Sequence, residues 1–212
     1  MTNKIANGIY LIIDPSEQAD KISGTLKLIL GESIAAVQIW DNFKNDIDHY
    51  KLLISDIVKL CKEKEVPVII NNRGELLEQF ELSGVHYDTP AIAEQNRKHI
   101  SSNANVITGI TCNNDLSIVE WARDNNLSYI SFCSLFPSST ANSCELVKFE
   151  TIQKAKSIVD IPIFLAGGIK PENLHLLNHL EYSGIAVVSG IMNNNNPIDA
   201  VNQYNNNTKK YL

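Results

Sequence analysis

Basic residues are under-represented in this 212-residue chain, where 18 Lys and Arg stand against 24 Asp and Glu for a formal charge of −6. Without a basic surplus, nothing neutralises a phosphodiester backbone or an anionic lipid surface, which excludes general nucleic-acid and membrane-surface binding. Long apolar runs are missing too. No stretch approaches the roughly 18 residues of a membrane span. The first strand-like run, 9–13, is cut by Asp14-Pro15 without any basic segment or small-residue cleavage site. No membrane segment or signal peptide is therefore expected, and the predicted compartment is the cytoplasm. Cysteine is sparse: Cys61, Cys112, Cys133 and Cys144 form no C-x-x-C pair, which argues against both a zinc site and a disulfide framework and for reduced thiols. The asparagine runs at 193–196 and 205–207 are short and flank periodic segments, so they read as polar turns.

What the chain does have is alternation. Short β-branched runs recur at 9–13, 34–40, 66–71, 84–87, 105–110, 128–133, 161–166 and 184–189. Between them lie helical periodicities. In 46–64 the side chains of Ile47, Tyr50, Ile54, Ile57 and Cys61 share one face. Asn113 and Asn114 stand as N-caps before Leu116, Val119 and Ala122, and Pro171 sits at a first helical position. Strands that are apolar throughout belong in a sheet covered on both faces, and βα alternation implies parallel pairing. Eight units predict an α/β fold, a closed (β/α)8 TIM barrel forming a single domain over 1–212. An open doubly wound sheet lacks its usual sign, since Asp14-Pro15-Ser16 follows the first strand where a G-x-G-x-x-G would stand.

In such a barrel, reactive groups follow the C-terminal ends of strands, and phosphate is often held after strands seven and eight. Those positions carry Ala166-Gly167-Gly168-Ile169 and Val188-Ser189-Gly190-Ile191. Glycine lets backbone approach an anion, and a following helix start offers free N–H groups. Gly167, Gly168, Ser189 and Gly190 are thus the candidate phosphate-binding residues; the alternative is that the glycines only make tight βα turns.

These pieces also carry a resemblance spread over nearly the whole chain: IYLIID at 9–14, Val37-Gln38, VIIN at 68–71, GVH at 84–86, TGIT at 108–111, Phe136-Pro137, IPI at 161–163, AGGIKPEN at 166–173 and GIAVVSGI at 184–191. In this order they resemble the thiamine phosphate synthase family, which includes the thiazole tautomerases. The resemblance implies condensation of a hydroxymethylpyrimidine diphosphate with a thiazole phosphate, assisted by Mg²⁺ and by cations on the departing diphosphate.

The chain departs from that pattern where anions are handled. The family's Gln-x-Arg-x-Lys reads Gln38-Ile39-Trp40-Asp41-Asn42, and its Asn-Asp pair reads Asn71-Asn72. The second metal aspartate falls at Ala91, with Asp88 as a displaced candidate, and Ser138-Ser139-Thr140-Ala141 keeps hydroxyls but no lysine. Thr111 replaces the synthase serine, and Ser134 stands where tautomerases carry an acid–base histidine. Three lost contacts of about 1.5–3 kcal/mol each amount to roughly 10³- to 10⁶-fold in rate if they act in the transition state.

The expectation is therefore a divergent member that binds a thiazole phosphate or thiamine phosphate through Gln38, Trp40, Asn71, Thr111 and Thr140, with no cofactor. Mg²⁺ is expected only if Lys44, Arg73 and Asp88 act as displaced replacements in a working synthase. His86, Cys133 and Thr111 are the candidates for catalysis, His86 or Cys133 serving in a metal-free isomerase, while Asp14 and Asp41 are strand-end carboxylates that equally suit helix capping. His175 and His179, four apart, are expected on a solvated face. The partner is a small phosphate ligand, with a homodimer left open.

If the missing charges disable synthesis, then Trp40→Arg, Asn42→Lys, Asn72→Asp, Ala91→Asp and Ala141→Lys together should restore Mg²⁺-dependent diphosphate release while each alone does little, because groups that share one leaving group are strongly non-additive. A well-folded quintuple variant that stays inert would show that the site has been reshaped beyond its charges.

Overall fold

The computed structural model describes residues 5–100, 105–137 and 145–208; Thr140, its neighbours at 138–141 and Cys144 lie outside them. Eight parallel strands, β1 (Gly8–Ile13), β2 (Ile34–Ile39), β3 (Val68–Asn71), β4 (Gly84–Tyr87), β5 (Ile107–Cys112), β6 (Tyr129–Phe132), β7 (Ile163–Ala166) and β8 (Gly184–Val187), pair in chain order. The ring closes where β8 returns to β1, with Gly8 opposite Gly184 and Leu11 opposite Val187. The helices α1 (Ala19–Ile29), α2 (Lys51–Lys62), α3 (Pro90–Ile100), α4 (Ser117–Asp124), α5 (Phe149–Ile158), α6 (Ser189–Met192) and α7 (Pro197–Thr208) stand between and after them. This is the (β/α)8 TIM barrel.

Both faces of every strand are covered, so the strands are mainly apolar, and the polar residues they carry, among them Gln38, Asn71, His86 and Ser131, are buried. Outward residues such as Leu11, Val37, Ile70, Val85 and Ile130 join Ile22, Leu26, Ile54 and Ile57 of the helices in one large core. Inward residues form a second, smaller core of Tyr10, Ala36, Ile69, Tyr129, Phe164 and Ala186. Its centre is aromatic: ring centroids lie 5.7 Å apart for Tyr10 and Tyr129, 5.4 Å for Tyr10 and Phe164, and 5.7 Å for Tyr129 and Phe164. These rings fit because the strands beside them lack side chains. A Cβ on Gly109 would stand 2.1 Å from the Tyr129 ring, and one on Gly184 would stand 2.7 Å from that of Phe164.

Several boundaries differ from the sequence expectation for identifiable reasons. Strand β3 begins at Val68 because the Val66 N–H instead closes α2 on Cys61 O at 3.0 Å. Strand β6 stops at Phe132 because Ser134 turns into the left-handed region at φ 73°. The predicted helix over 46–64 is a 3-10 turn, Ile47–Tyr50, followed by α2; Tyr50, Ile54, Ile57 and Cys61 are buried as the periodicity requires. Asn113 and Asn114 do not cap α4. Leu116 holds the N-cap position without a side-chain bond, Asp115 Oδ1 before it accepts from Ser117 N at 2.9 Å, and Asn114 Oδ1 accepts from Lys148 N at the start of α5. Pro171 opens a 3-10 helix, Pro171–Leu177, with Leu174 and Leu177 buried. That helix ends before His179, so His175 and His179 do not share a helical face, and both are exposed. Burial pushes the Cys61 and Cys112 thiols up to about 12, which leaves them as inert core groups.

The inward Tyr129 ring makes a direct stability prediction. Gly109→Ala should lower unfolding free energy by about 1–3 kcal/mol through overpacking and perturb the near-ultraviolet tyrosine signal. Denaturant titration showing unchanged stability would mean that the ring is free to move aside.

Candidate functional site

At the C-terminal ends of the strands the barrel opens into a cavity of about 790 Å³, and the aromatic centre forms its floor. A tyrosine hydroxyl buried in this way needs a partner, and that requirement organises everything above it. Tyr10 Oη donates to Gln38 Oε1 at 2.7 Å. With that proton committed, Tyr10 accepts from Tyr129 Oη at 2.7 Å, and Tyr129 in turn accepts the Nδ1–H of His86 at 2.9 Å. The other ring nitrogen of His86 is therefore an acceptor, taking the Thr111 hydroxyl at 2.8 Å. Burial pushes the His86 pKa down to about 4, against a weaker upward pull from the Asp88 charge. The imidazole is neutral at pH 7 and both its nitrogens are occupied. A base this weak is mismatched to proton transfer near neutrality.

The strand ends where Mg²⁺ would be expected hold a different arrangement. Asp88 Oδ1 accepts from Asn71 Nδ2 at 3.0 Å, Asp88 Oδ2 from Asn72 Nδ2 at 2.8 Å, and Asn72 Oδ1 accepts the Asp88 N–H at 3.0 Å. The two amides thus point N–H groups, not oxygens, at the Asp88 carboxylate; Glu145 is the other carboxylate that lines the cavity. Mg²⁺ asks for near-octahedral hard oxygen ligands, and this donor set does not fit it. Among the described residues no three His, Cys, Asp or Glu side chains gather at one place.

Neither displaced cation lines the cavity. Arg73 Nε holds Asp41 Oδ1 at 2.9 Å, and its guanidinium lies 5.8 Å over the Phe43 ring. Lys44 is exposed and does not line the cavity. Asn42 Nδ2 donates to Asp14 Oδ2 at 2.8 Å, joining two strand-end loops.

Across the mouth the glycine loops are shaped by close backbone packing. Gly167 and Gly168 have φ of 91° and 65°. A Cβ on Gly167 would lie 2.4 Å from Ser134 Cα, and one on Gly168 would lie 2.6 Å from Phe136 O. Asn173 staples the turn, donating from Nδ2 to Gly168 O at 3.0 Å and accepting the Lys170 N–H at 2.8 Å. Ser189 and Gly190 are the first residues of α6, where backbone N–H groups precede any intrahelical acceptor. Tyr204 of α7 joins the two loops: its hydroxyl donates to Ile169 O at 3.1 Å and would touch a Cβ on Gly190 at 2.2 Å.

The structure thus brings Gln38, Trp40, Asn71, His86, Asp88, Thr111, Cys133, Gly167, Gly168, Ser189 and Gly190 to one cavity. Cys133 is half-buried, its Sγ 4.0 Å from Ser134 Oγ. Sequence reading missed Tyr10, Tyr129, Lys170 and Tyr204, all of which line the same cavity. A tyrosine inside an otherwise apolar strand was the available signal for Tyr10.

A closed parallel barrel with a cavity and paired glycine loops at its strand ends defines the class: a (β/α)8 barrel protein with a cavity of small-molecule size at its strand ends. Residues 9–191 match the family model described as thiamine monophosphate synthase, and the chain belongs to that family. The thiamine-phosphate synthase of Methanobrevibacter smithii is 25% identical over 195 residues, covering 92% of each chain. That of Prochlorococcus marinus is 31% identical over 193 residues, covering 91% of this chain but 53% of its own longer one. Among solved structures, the thiamine phosphate pyrophosphorylase from Pyrococcus furiosus superposes with a TM-score of 0.77 at 19% identity, over 99% of this chain and 98% of that one.

His86 also makes the fold pH-sensitive. Its folded pKa lies below the ordinary 6.5, so the unfolded chain takes up a proton that the folded chain refuses. Its contribution is complete above about pH 6.5 and is lost as pH falls towards 4, by up to about 3 kcal/mol. His86→Gln should flatten the fall in urea midpoint between pH 7 and pH 4.5; an unchanged slope would show that other groups carry it.

Proposed function

We propose that this protein is a divergent family member that binds a thiazole phosphate or thiamine phosphate and has lost the diphosphate and Mg²⁺ apparatus of synthesis. The observation that carries the reading is the Asp88–Asn71–Asn72 cluster, in which neutral amides, not further carboxylates, surround the strand-end carboxylate. The engagement of Arg73 by Asp41 and the exposure of Lys44 support it further.

In this reading the phosphate lies against the backbone of Gly167, Gly168, Ser189 and Gly190. The left-handed turn at Gly167-Gly168 and the open first turn of α6 present N–H groups there, and Lys170 supplies the nearby positive charge. Gln38, with Oε1 fixed by Tyr10, offers its amide N–H groups to the heterocycle; Thr111, whose proton goes to His86, offers an oxygen lone pair. Trp40 provides a flat wall and Asn71 a fixed rim. His86 sets the polarity of the floor, and its low pKa speaks against a proton-transfer role for it. The ligand site works without a cofactor. The names of the relatives favour a second reading, a synthase with displaced residues.

Calorimetry should show thiamine monophosphate or its thiazole phosphate binding to protein stripped with chelator, with affinity unchanged by added Mg²⁺. Incubation with a pyrimidine diphosphate and a thiazole phosphate should release no diphosphate. Mg²⁺-dependent turnover would overturn the loss of synthesis and promote the second reading.

A further inference from the structure

On the cavity floor every member of the hydrogen-bond chain both gives and accepts. A hydroxyl donates one proton and accepts another, a neutral imidazole donates at one nitrogen and accepts at the other, and an amide donates at Nε2 and accepts at Oε1. Tyr10, Gln38, His86 and Tyr129 are all buried. Among the described residues, the Tyr10 and Tyr129 hydroxyls and the His86 ring nitrogens bond only to their neighbours in the chain. Such a chain has two self-consistent arrangements, one running each way. Any mixture of them leaves two donors or two acceptors face to face at a joint that burial makes costly.

The structure shows the arrangement that ends on Gln38. Its 2.7 Å contact with Tyr10 has the ordinary length of an O–H···O bond and sits at the short limit for N–H···O, so the amide oxygen faces the tyrosine. Turning the amide over reverses the whole chain: Gln38 Nε2 would donate to Tyr10, Tyr10 to Tyr129, Tyr129 to His86 Nδ1, and the His86 Nε2–H to Thr111. The other contacts, 2.7, 2.9 and 2.8 Å, suit either direction. The protons balance through water, which takes the one on Nδ1 and supplies the one on Nε2, while the hydroxyls and the amide turn about their own bonds. No group gains a charge.

We infer that Gln38 sets the tautomer of His86 through Tyr10 and Tyr129, across three hydrogen bonds, so that the β2 and β5 walls of the cavity change polarity together. With Oε1 on Tyr10, Gln38 turns its N–H groups and Thr111 its oxygen lone pairs towards the cavity; in the reverse arrangement Gln38 turns its oxygen and Thr111 its proton. Occupation of one wall therefore alters what the other offers, with the heavy atoms left in place and whatever molecule the cavity holds. The device is independent of the phosphate reading above. Gln38, Tyr10 and Tyr129 are positioning residues in it, because they act through the state of His86.

The test reads the tautomer directly. In the full chain labelled with ¹⁵N-histidine and free of ligand, long-range ¹H–¹⁵N correlation spectra distinguish Nδ1–H from Nε2–H, and the His86 signals are those that vanish in His86→Gln. The natural protein should show Nδ1–H. Tyr10→Phe keeps the ring but removes the hydroxyl; Tyr129, left without that acceptor, turns its proton to Nδ1, and the His86 proton should move to Nε2. Gln38→Leu should give the same exchange of signals although two tyrosines stand between it and the histidine. Thr111→Val removes the hydroxyl directly on His86 yet should leave Nδ1–H, since the rest of the chain is intact. An Nε2–H tautomer in the natural protein overturns the inference, as does Nδ1–H retained in Tyr10→Phe or Gln38→Leu with a normal melting transition, or a switch in Thr111→Val. Should Gln38→Leu not fold, Tyr10→Phe decides.

Discussion

Burying tyrosine hydroxyls inside the barrel is the constraint on which the rest of the site depends. Tyr10 and Tyr129 fill the interior with their rings, yet each brings an O–H that cannot be left without a partner at that depth. The strand ends resolve this in one direction: Thr111 donates to His86, His86 to Tyr129, Tyr129 to Tyr10, and Tyr10 to Gln38. Packing and polarity are thereby coupled. The glycines that make room for the rings thereby help to fix the amide and the hydroxyl that line the cavity.

The same economy appears at the two sides of the mouth. On one side, the glycine conformations that suit an anion are also demanded by contact with the Ser134–Pro137 backbone, and Tyr204 ties the second loop to the first. Structural and binding explanations of Gly167 and Gly168 therefore reinforce each other. On the other side, substituting amides for charges has not left isolated polar groups. Asn42 joins Asp14, Asn72 joins Asp88 and Arg73 joins Asp41, so the rim has closed into a self-satisfied network.

Much of this was legible in the chain, and the unread part has a common cause. The eight strands, the one-sided faces of the helices and the two glycine loops follow from local patterns, because the period of an apolar face and the turn preference of glycine act over a few residues. Asn114 was misread for the opposite reason: its partners, Leu146, Lys148 and Thr151, lie more than thirty positions away, and capping chemistry looks the same in sequence whichever helix it serves. The split of 46–64 and the end of the helix before His179 turned on backbone geometry that side-chain periodicity does not encode.

By itself the sequence determined the barrel, the position of its open end and the lack of the usual anion-handling charges, since each is a matter of residue type at a regular interval. Only the tertiary structure decided what those residues do together. The direction of the hydrogen-bond chain, the neutrality of His86, the engagement of Arg73 and the amide partners of Asp88 arise from contacts between strands distant in sequence. Hydrogen bonds and burial are properties of pairs and surroundings, and barrel closure is what assigns each residue its neighbours.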